Sequence, residues 1–151
     1  MDAERFEDFV KFAIGQERAA AELYEKHAGG SVSRSTRKVL TEMAGMERTH
    51  EARLRTLLAT GMASFPSKGG VRDMHVSDYM LDEELAPDAP IDKVFVFAMK
   101  AEQKAYELYA RLATLEVDST VHELFESLAA EEQRHKRDLE EQYESGFMRD
   151  N

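Results

Sequence analysis

Cysteine is absent from the chain. That excludes disulfides, thiol chemistry, iron–sulfur clusters and any Cys-ligated zinc or rubredoxin-type iron, so a bound metal must be held by oxygen and imidazole. Proline is scarce, three residues all between 66 and 90, and the eight glycines leave little material for a turn-rich β fold. Positive charge is in deficit: 20 Lys and Arg against 30 Asp and Glu give a net charge of −10. A surface of that sign disfavours nucleic acid and anionic membranes as partners. No apolar run approaches the ~20 residues that span a bilayer. The start, Met1-Asp2-Ala3-Glu4-Arg5, lacks the basic and apolar regions of a signal peptide, so a cytoplasmic protein is expected.

What is present is helix-forming sequence, 42% apolar and 33% charged over 151 residues, enough for one domain with a real core. Apolar residues recur at alternating three and four spacing, the stripe that a bundle helix buries. Helices are expected at about 4–28, 33–60, 90–116 and 119–145, within a single domain spanning 1–151. Gly29-Gly30, Gly61 and Gly146 act as stops, hydroxyls between Ser31 and Ser35 as caps, and Asp88-Ala89-Pro90 as the opening of the third helix. Residues 61–89 form a long crossover, interrupted by a short helix around Val76 to Leu81.

The stripe contains polar residues where apolar ones belong. The second helix reads Thr36, Leu40, Met43, Glu47, His50, Leu54, Leu57. The fourth reads Val121, Phe125, Leu128, Glu132, His135, Leu139. The first reads Phe6, Val10, Ala13, Glu17, Ala20, Tyr24, His27, and the third Ile91, Phe95, Ala98, Glu102, Ala105, Tyr109, Leu112. An offset of 85 residues relates Glu17 to Glu102, Tyr24 to Tyr109, Glu47 to Glu132 and His50 to His135. Two helical hairpins of one design, joined by a crossover, imply an all-α, antiparallel four-helix bundle with approximate internal two-fold symmetry.

A mid-helix glutamate is ordinarily a solvated residue, since glutamate is a good helix former. Six polar residues in register across a repeat are a different matter. Glu17, Glu47, His50, Glu102, Glu132 and His135 each lie near the middle of a helix, so the bundle gathers them in one layer. Four carboxylates in an apolar core repel one another and lose hydration. Two divalent cations carry +4 against their −4, and this oxygen-rich donor set suits iron or manganese.

One Glu from each of two helices plus Glu-x-x-His from each of the other two is the pattern of ferritin-like di-iron and di-manganese bundles. On these residues, from about Glu4 to Gly146, the chain resembles the rubrerythrin-type branch of the ferritin-like superfamily. The resemblance implies two irons per chain, with manganese as the other metal that the donors suit. Glu17, Glu47 and His50 would surround one, Glu102, Glu132 and His135 the other, with Glu47 and Glu132 bridging. It also implies an oxidoreductase that reduces H2O2 or O2, or oxidises Fe(II). The alternative is a non-catalytic iron or manganese buffer. With no cysteine there is no rubredoxin domain among these residues, so electrons would come from a separate donor such as a rubredoxin or a reductase. Rubrerythrin has a further glutamate three residues after the third-helix ligand; here that position is Ala105. The tail is too short for the fifth helix of cage-forming ferritins, so no storage shell is expected. A homodimer is expected from the resemblance and from apolar residues Phe9, Ile14 and Phe97 outside the stripe. Glu22, Glu25, Glu107 and Glu131 also fall outside it and read as solvated. His27, His75 and His122 have no partner at ligand spacing. Tyr24 and Tyr109 read either as core residues or as hydrogen-bond partners of the carboxylates.

Overall fold

The computed structural model describes residues 5–30, 32–60, 68–115 and 117–145, with backbone alone at 68 and 69. The chain forms four helices, α1 (Phe6–Ala28), α2 (Arg34–Thr60), α3 (Ile91–Ala113) and α4 (Ser119–Glu144). Two 3-10 turns, Lys68–Val71 and Val76–Tyr79, lie in the crossover. No strand occurs among the described residues, and no described helix is long and apolar enough to cross a membrane. The expected stops at Gly61 and Gly146, the capping Ser31 and residue 4 lie outside the described residues.

Local chemistry explains the helix ends. The Arg5 backbone N–H donates to the Asp8 carboxylate at 3.1 Å as α1 begins. Ser33 Oγ accepts from the Thr36 N–H at 3.1 Å, and the Asp118 carboxylate from the Val121 N–H at 2.9 Å, capping α2 and α4. Pro90, with φ −66°, opens α3, where its missing N–H leaves nothing unpaired. At the end of α1, Gly29 is right-handed (φ −79°), so glycine's access to positive φ is not what stops the helix there. α3 ends at Ala113, three residues short of the expected boundary. Thr114 Oγ donates to the Arg111 carbonyl at 2.6 Å, and His122 Nδ1 to the Ala113 carbonyl at 2.8 Å. These side chains satisfy the last carbonyls in place of another helical turn, and they give the isolated His122 a structural role.

α1 packs along α2 and α3 along α4 far more extensively than either hairpin packs on the other. The core has two parts. One includes Phe6, Phe9, Val10, Leu54, Leu112, Val121, Phe125 and Leu128; the other Tyr24, Leu40, Met43, Phe95, Ala98 and Leu139. Every helix contributes to both parts, and on every helix the candidate site residues lie between the two contributions. Apolar plugs thus close both ends of a polar layer, each buried Leu or Phe contributing about 1.5–3 kcal/mol.

The crossover is not the loose connection that its composition suggests. Val71, Met74 and Val76 are buried in the first part of the core. Lys26 Nζ donates to the Pro87 carbonyl at 2.9 Å and Lys104 Nζ to the Asp78 carbonyl at 3.0 Å, tying the segment to α1 and α3. Burial corrects two expectations. Phe9 and Ile14 are buried in the first part of the core, and Phe97 is half-buried. Those three residues therefore supply no exposed apolar face. Conversely Ala20, His27, Ile91 and Ala105, expected in the core, are only half-buried.

Candidate metal centre

The six polar residues of the stripe meet in one layer, none more than 2% exposed. On α2, Glu47 and His50 are one turn apart on one face, as are Glu132 and His135 on α4. Antiparallel packing presents each imidazole to the opposite hairpin. His50 Nδ1 lies 2.8 Å from Glu132 Oε1, 3.5 Å from Glu17 Oε2 and 3.8 Å from Glu47 Oε1. His135 Nδ1 lies 2.9 Å from Glu47 Oε1 and 3.8 Å from oxygens of Glu102 and Glu132. The two rings stack nearly parallel, 11° apart in plane, with centroids 5.5 Å apart.

Two quartets of donor atoms result, each spanning no more than 4.8 Å. Glu17, Glu47, His50 and Glu132 form one, and Glu47, Glu102, Glu132 and His135 the other. Glu47 and Glu132 belong to both, so one carboxylate from α2 and one from α4 are shared by the two groups. Several atoms facing this centre have no hydrogen-bond partner among the described residues: Glu17 Oε2, Glu47 Oε1, Glu102 Oε2, Glu132 Oε2 and His135 Nδ1. The 2.9 Å approach of His135 to Glu47 is thus a contact without hydrogen-bond alignment. Buried polar atoms are nearly always paired. Unpaired acceptors converging on one point, held between apolar plugs, fit divalent cations.

The tyrosines complete the layer. Tyr24 donates to Glu102 Oε1 at 2.7 Å, and Tyr109 to Glu17 Oε1 at 2.5 Å. Each hairpin's phenol therefore holds the terminal carboxylate of the other. Burial pushes both phenols well above their usual range, reinforced by the neighbouring carboxylates, so they remain donors. Burial also pushes the Glu47 carboxyl well up, with the Glu102 and Glu17 charges adding to it. Glu102 is raised by burial, against the opposing pull of His135 and Tyr24. Burial acts on Glu17 the same way, but His50, Glu47 and Tyr109 outweigh it and hold Glu17 low. Burial depresses His50, yet Glu17 and the other carboxylates leave it raised.

One charged neighbour of the polar layer is not marked by the periodicity. Glu131, expected on a solvated face, is half-buried, with Oε1 3.6 Å from His50 Nε2. Its other oxygen accepts from Arg53 at 2.9 Å and Ser127 at 3.0 Å. Arg53 and Ser127 thus aim a carboxylate at the back of His50. By the 85-residue repeat, the matching position behind His135 is Met46; neither His50 Nε2 nor His135 Nε2 has a hydrogen-bond partner among the described residues, so Glu131 stands beside His50 as a charge and not as a hydrogen-bonded partner. A carboxylate behind a ligating imidazole fixes its orientation and raises its basicity. Glu131→Ala is expected to weaken Co(II) or Mn(II) binding about 10–100-fold, read by titration of metal-free protein. Unchanged affinity would remove Glu131 from the site.

The model of the rubrerythrin family matches residues 8–143, a span that holds all six residues and both tyrosines. No curated protein and no solved structure gives a match.

Proposed function

Because the chain belongs to the rubrerythrin family, we propose that it is a di-iron carboxylate oxidoreductase that reduces peroxide with electrons from a separate donor. The observation that carries this reading is the pair of donor quartets sharing Glu47 and Glu132. Two cations there neutralise four buried carboxylates that otherwise repel. Glu17 and His50 would complete one position, Glu102 and His135 the other, each imidazole through Nδ1. Two irons, when bound, supply an electron pair to H2O2, which takes up two protons and leaves as two molecules of water.

The chain's own residues set the conditions. Tyr24 and Tyr109 orient Glu102 and Glu17 by donating across the hairpin boundary. Glu131, held by Arg53, places a negative charge 3.6 Å from His50 Nε2. The apolar plugs exclude bulk water and keep these interactions strong.

The test is elemental analysis of protein purified without chelators, followed by anaerobic reduction and H2O2 addition with a reductant in excess. Two irons per chain and sustained consumption of reductant are expected. Two metals without turnover would leave an iron or manganese buffer, and no metal uptake at all would sink the reading.

A further inference from the structure

A cavity of about 360 Å³ opens between α1 and α3 and has Glu17, Glu47, Glu102, Tyr24 and Tyr109 at its inner end. Both histidines come from α2 and α4, so the cavity reaches the centre from the side that carries no imidazole. It is far larger than H2O2 needs: at ~30 Å³ per water, it equals the volume of on the order of ten water molecules. Its size is that of a small ligand pocket, at the lower end of the ~300–1,000 Å³ range.

The space has a definite cause. Ala20, Ala101 and Ala105 line it, so α1 and α3 carry methyl groups where larger side chains would close the interface. Leu23, Phe97 and Leu108 supply apolar wall. Such a lining hydrates poorly, which disfavours a chain of waters or a queue of H2O2 molecules. The charge of an entrant is also constrained. Carboxylates stand at the inner end, and Lys26 and Lys104, which also line the cavity, each donate to a crossover carbonyl. The apolar wall gives a charged entrant no partner to replace its hydration, which favours a neutral one.

We propose that this cavity admits a neutral organic hydroperoxide, its apolar group against Ala20, Leu23, Phe97, Ala101, Ala105 and Leu108 and its O–O group toward Glu17, Glu47 and Glu102. This deepens the proposed function and rests on it for the electron pair. The reaction balances without a further oxidant. The hydroperoxide R–O–O–H takes two electrons from the same donor and two protons; the O–O bond breaks and an alcohol and water leave. Inserting oxygen into a hydrocarbon would need O2 as well, which is why the organic hydroperoxide is the substrate assigned.

The experiment separates the cavity from the metal chemistry. Metal-free protein is titrated with 2-phenyl-2-propanol, the alcohol formed from cumene hydroperoxide, and followed by NMR. Saturable 1:1 binding with intermolecular NOEs to the Ala105 and Leu23 methyl groups is expected. Ala20→Leu and Ala105→Leu should each weaken it on the order of tenfold or more, since a hydrophobic pocket discriminates by that much per methylene or so. Circular dichroism and Fe(II) uptake check that both variants fold. In the iron-loaded chain, the ratio of kcat/KM for cumene hydroperoxide to that for H2O2 should fall by a similar factor in both variants. Absence of binding, binding without those NOEs, or equal binding in both folded variants overturns the inference. Binding that declines as chain concentration rises also overturns it, by assigning the cavity to a second copy. Turnover of H2O2 without alcohol binding leaves the proposed function standing alone, whereas turnover of neither peroxide overturns both.

Discussion

A Glu47→Ala/Glu132→Ala double variant is expected to take up no iron or manganese and to gain no stability when either is added. Both quartets share these two residues, so the substitution removes two of four donors from each position at once. The remaining Glu17 with His50, and Glu102 with His135, are two-donor fragments. The wild-type chain should gain about 4 kcal/mol at a free metal concentration near 1,000 times Kd, because only the folded state assembles the site. Denaturant midpoints with and without metal measure the difference. The alanine variant also leaves cavities in a dry layer, which cost stability whether or not metal is present. Glu47→Gln/Glu132→Gln keeps the volume and removes the charge, so it separates the two effects. In the absence of metal, and at a pH above the raised titration of Glu47, the glutamine pair should equal or exceed the wild type in stability, since buried like charges are gone. Equal metal gain in wild type and both double variants would overturn the ligand assignment.

How far the sequence could be read differs between the helix pairs, for a physical reason. On α2 and α4 every stripe position is buried, Thr36 to Leu57 and Val121 to Leu139. These helices bury one face against the bundle, and a three/four spacing describes one face. α1 and α3 also meet the crossover. Phe9 and Ile14, off the predicted stripe, are buried, while Ala20 and Ala105, on it, border the cavity. Periodicity on one helix cannot register a second packed face or a gap left by small residues on two helices. The six residues in the polar layer were legible because six charges or imidazoles in core register have no inexpensive alternative. The crossed Tyr24–Glu102 and Tyr109–Glu17 bonds depend on the pairing of hairpins. The repeat marks the tyrosines as equivalent but does not say that they exchange partners. Glu131 was hidden one step off the stripe. The available signal was a break in the repeat, glutamate at 131 against methionine at 46, with Arg53 one turn beyond His50 to hold it.

The other large effect is a reversal of pH dependence by the metal. In metal-free protein, Glu47 and Glu102 are raised above the ordinary carboxylate value of 4.5, and His50 above 6.5. A group with a raised folded-state pKa contributes stability that is complete below its unfolded value and lost as pH rises through the folded one. Glu17 is lowered, so its contribution runs the other way, lost as pH falls through its folded value. From the ordinary carboxylate range upward, Glu47, Glu102 and His50 therefore bind protons more tightly folded than unfolded, and Glu17 has already titrated in both states. Stability of the metal-free chain should fall as pH rises through that window, by about 1.4 kcal/mol per pH unit for each excess proton held. Metal inverts the slope. Cations need the deprotonated carboxylates and neutral imidazoles, so binding expels those protons and tightens with rising pH. The glutamine double variant supplies the baseline for the rest of the acidic surface, whose self-repulsion also grows with pH. Urea midpoints between pH 5 and 8, with chelator and with saturating Mn(II), should diverge in wild type and run parallel in that variant. Parallel curves in the wild type would mean that protons and metal do not compete for the same carboxylates, and that the polar layer holds no cation.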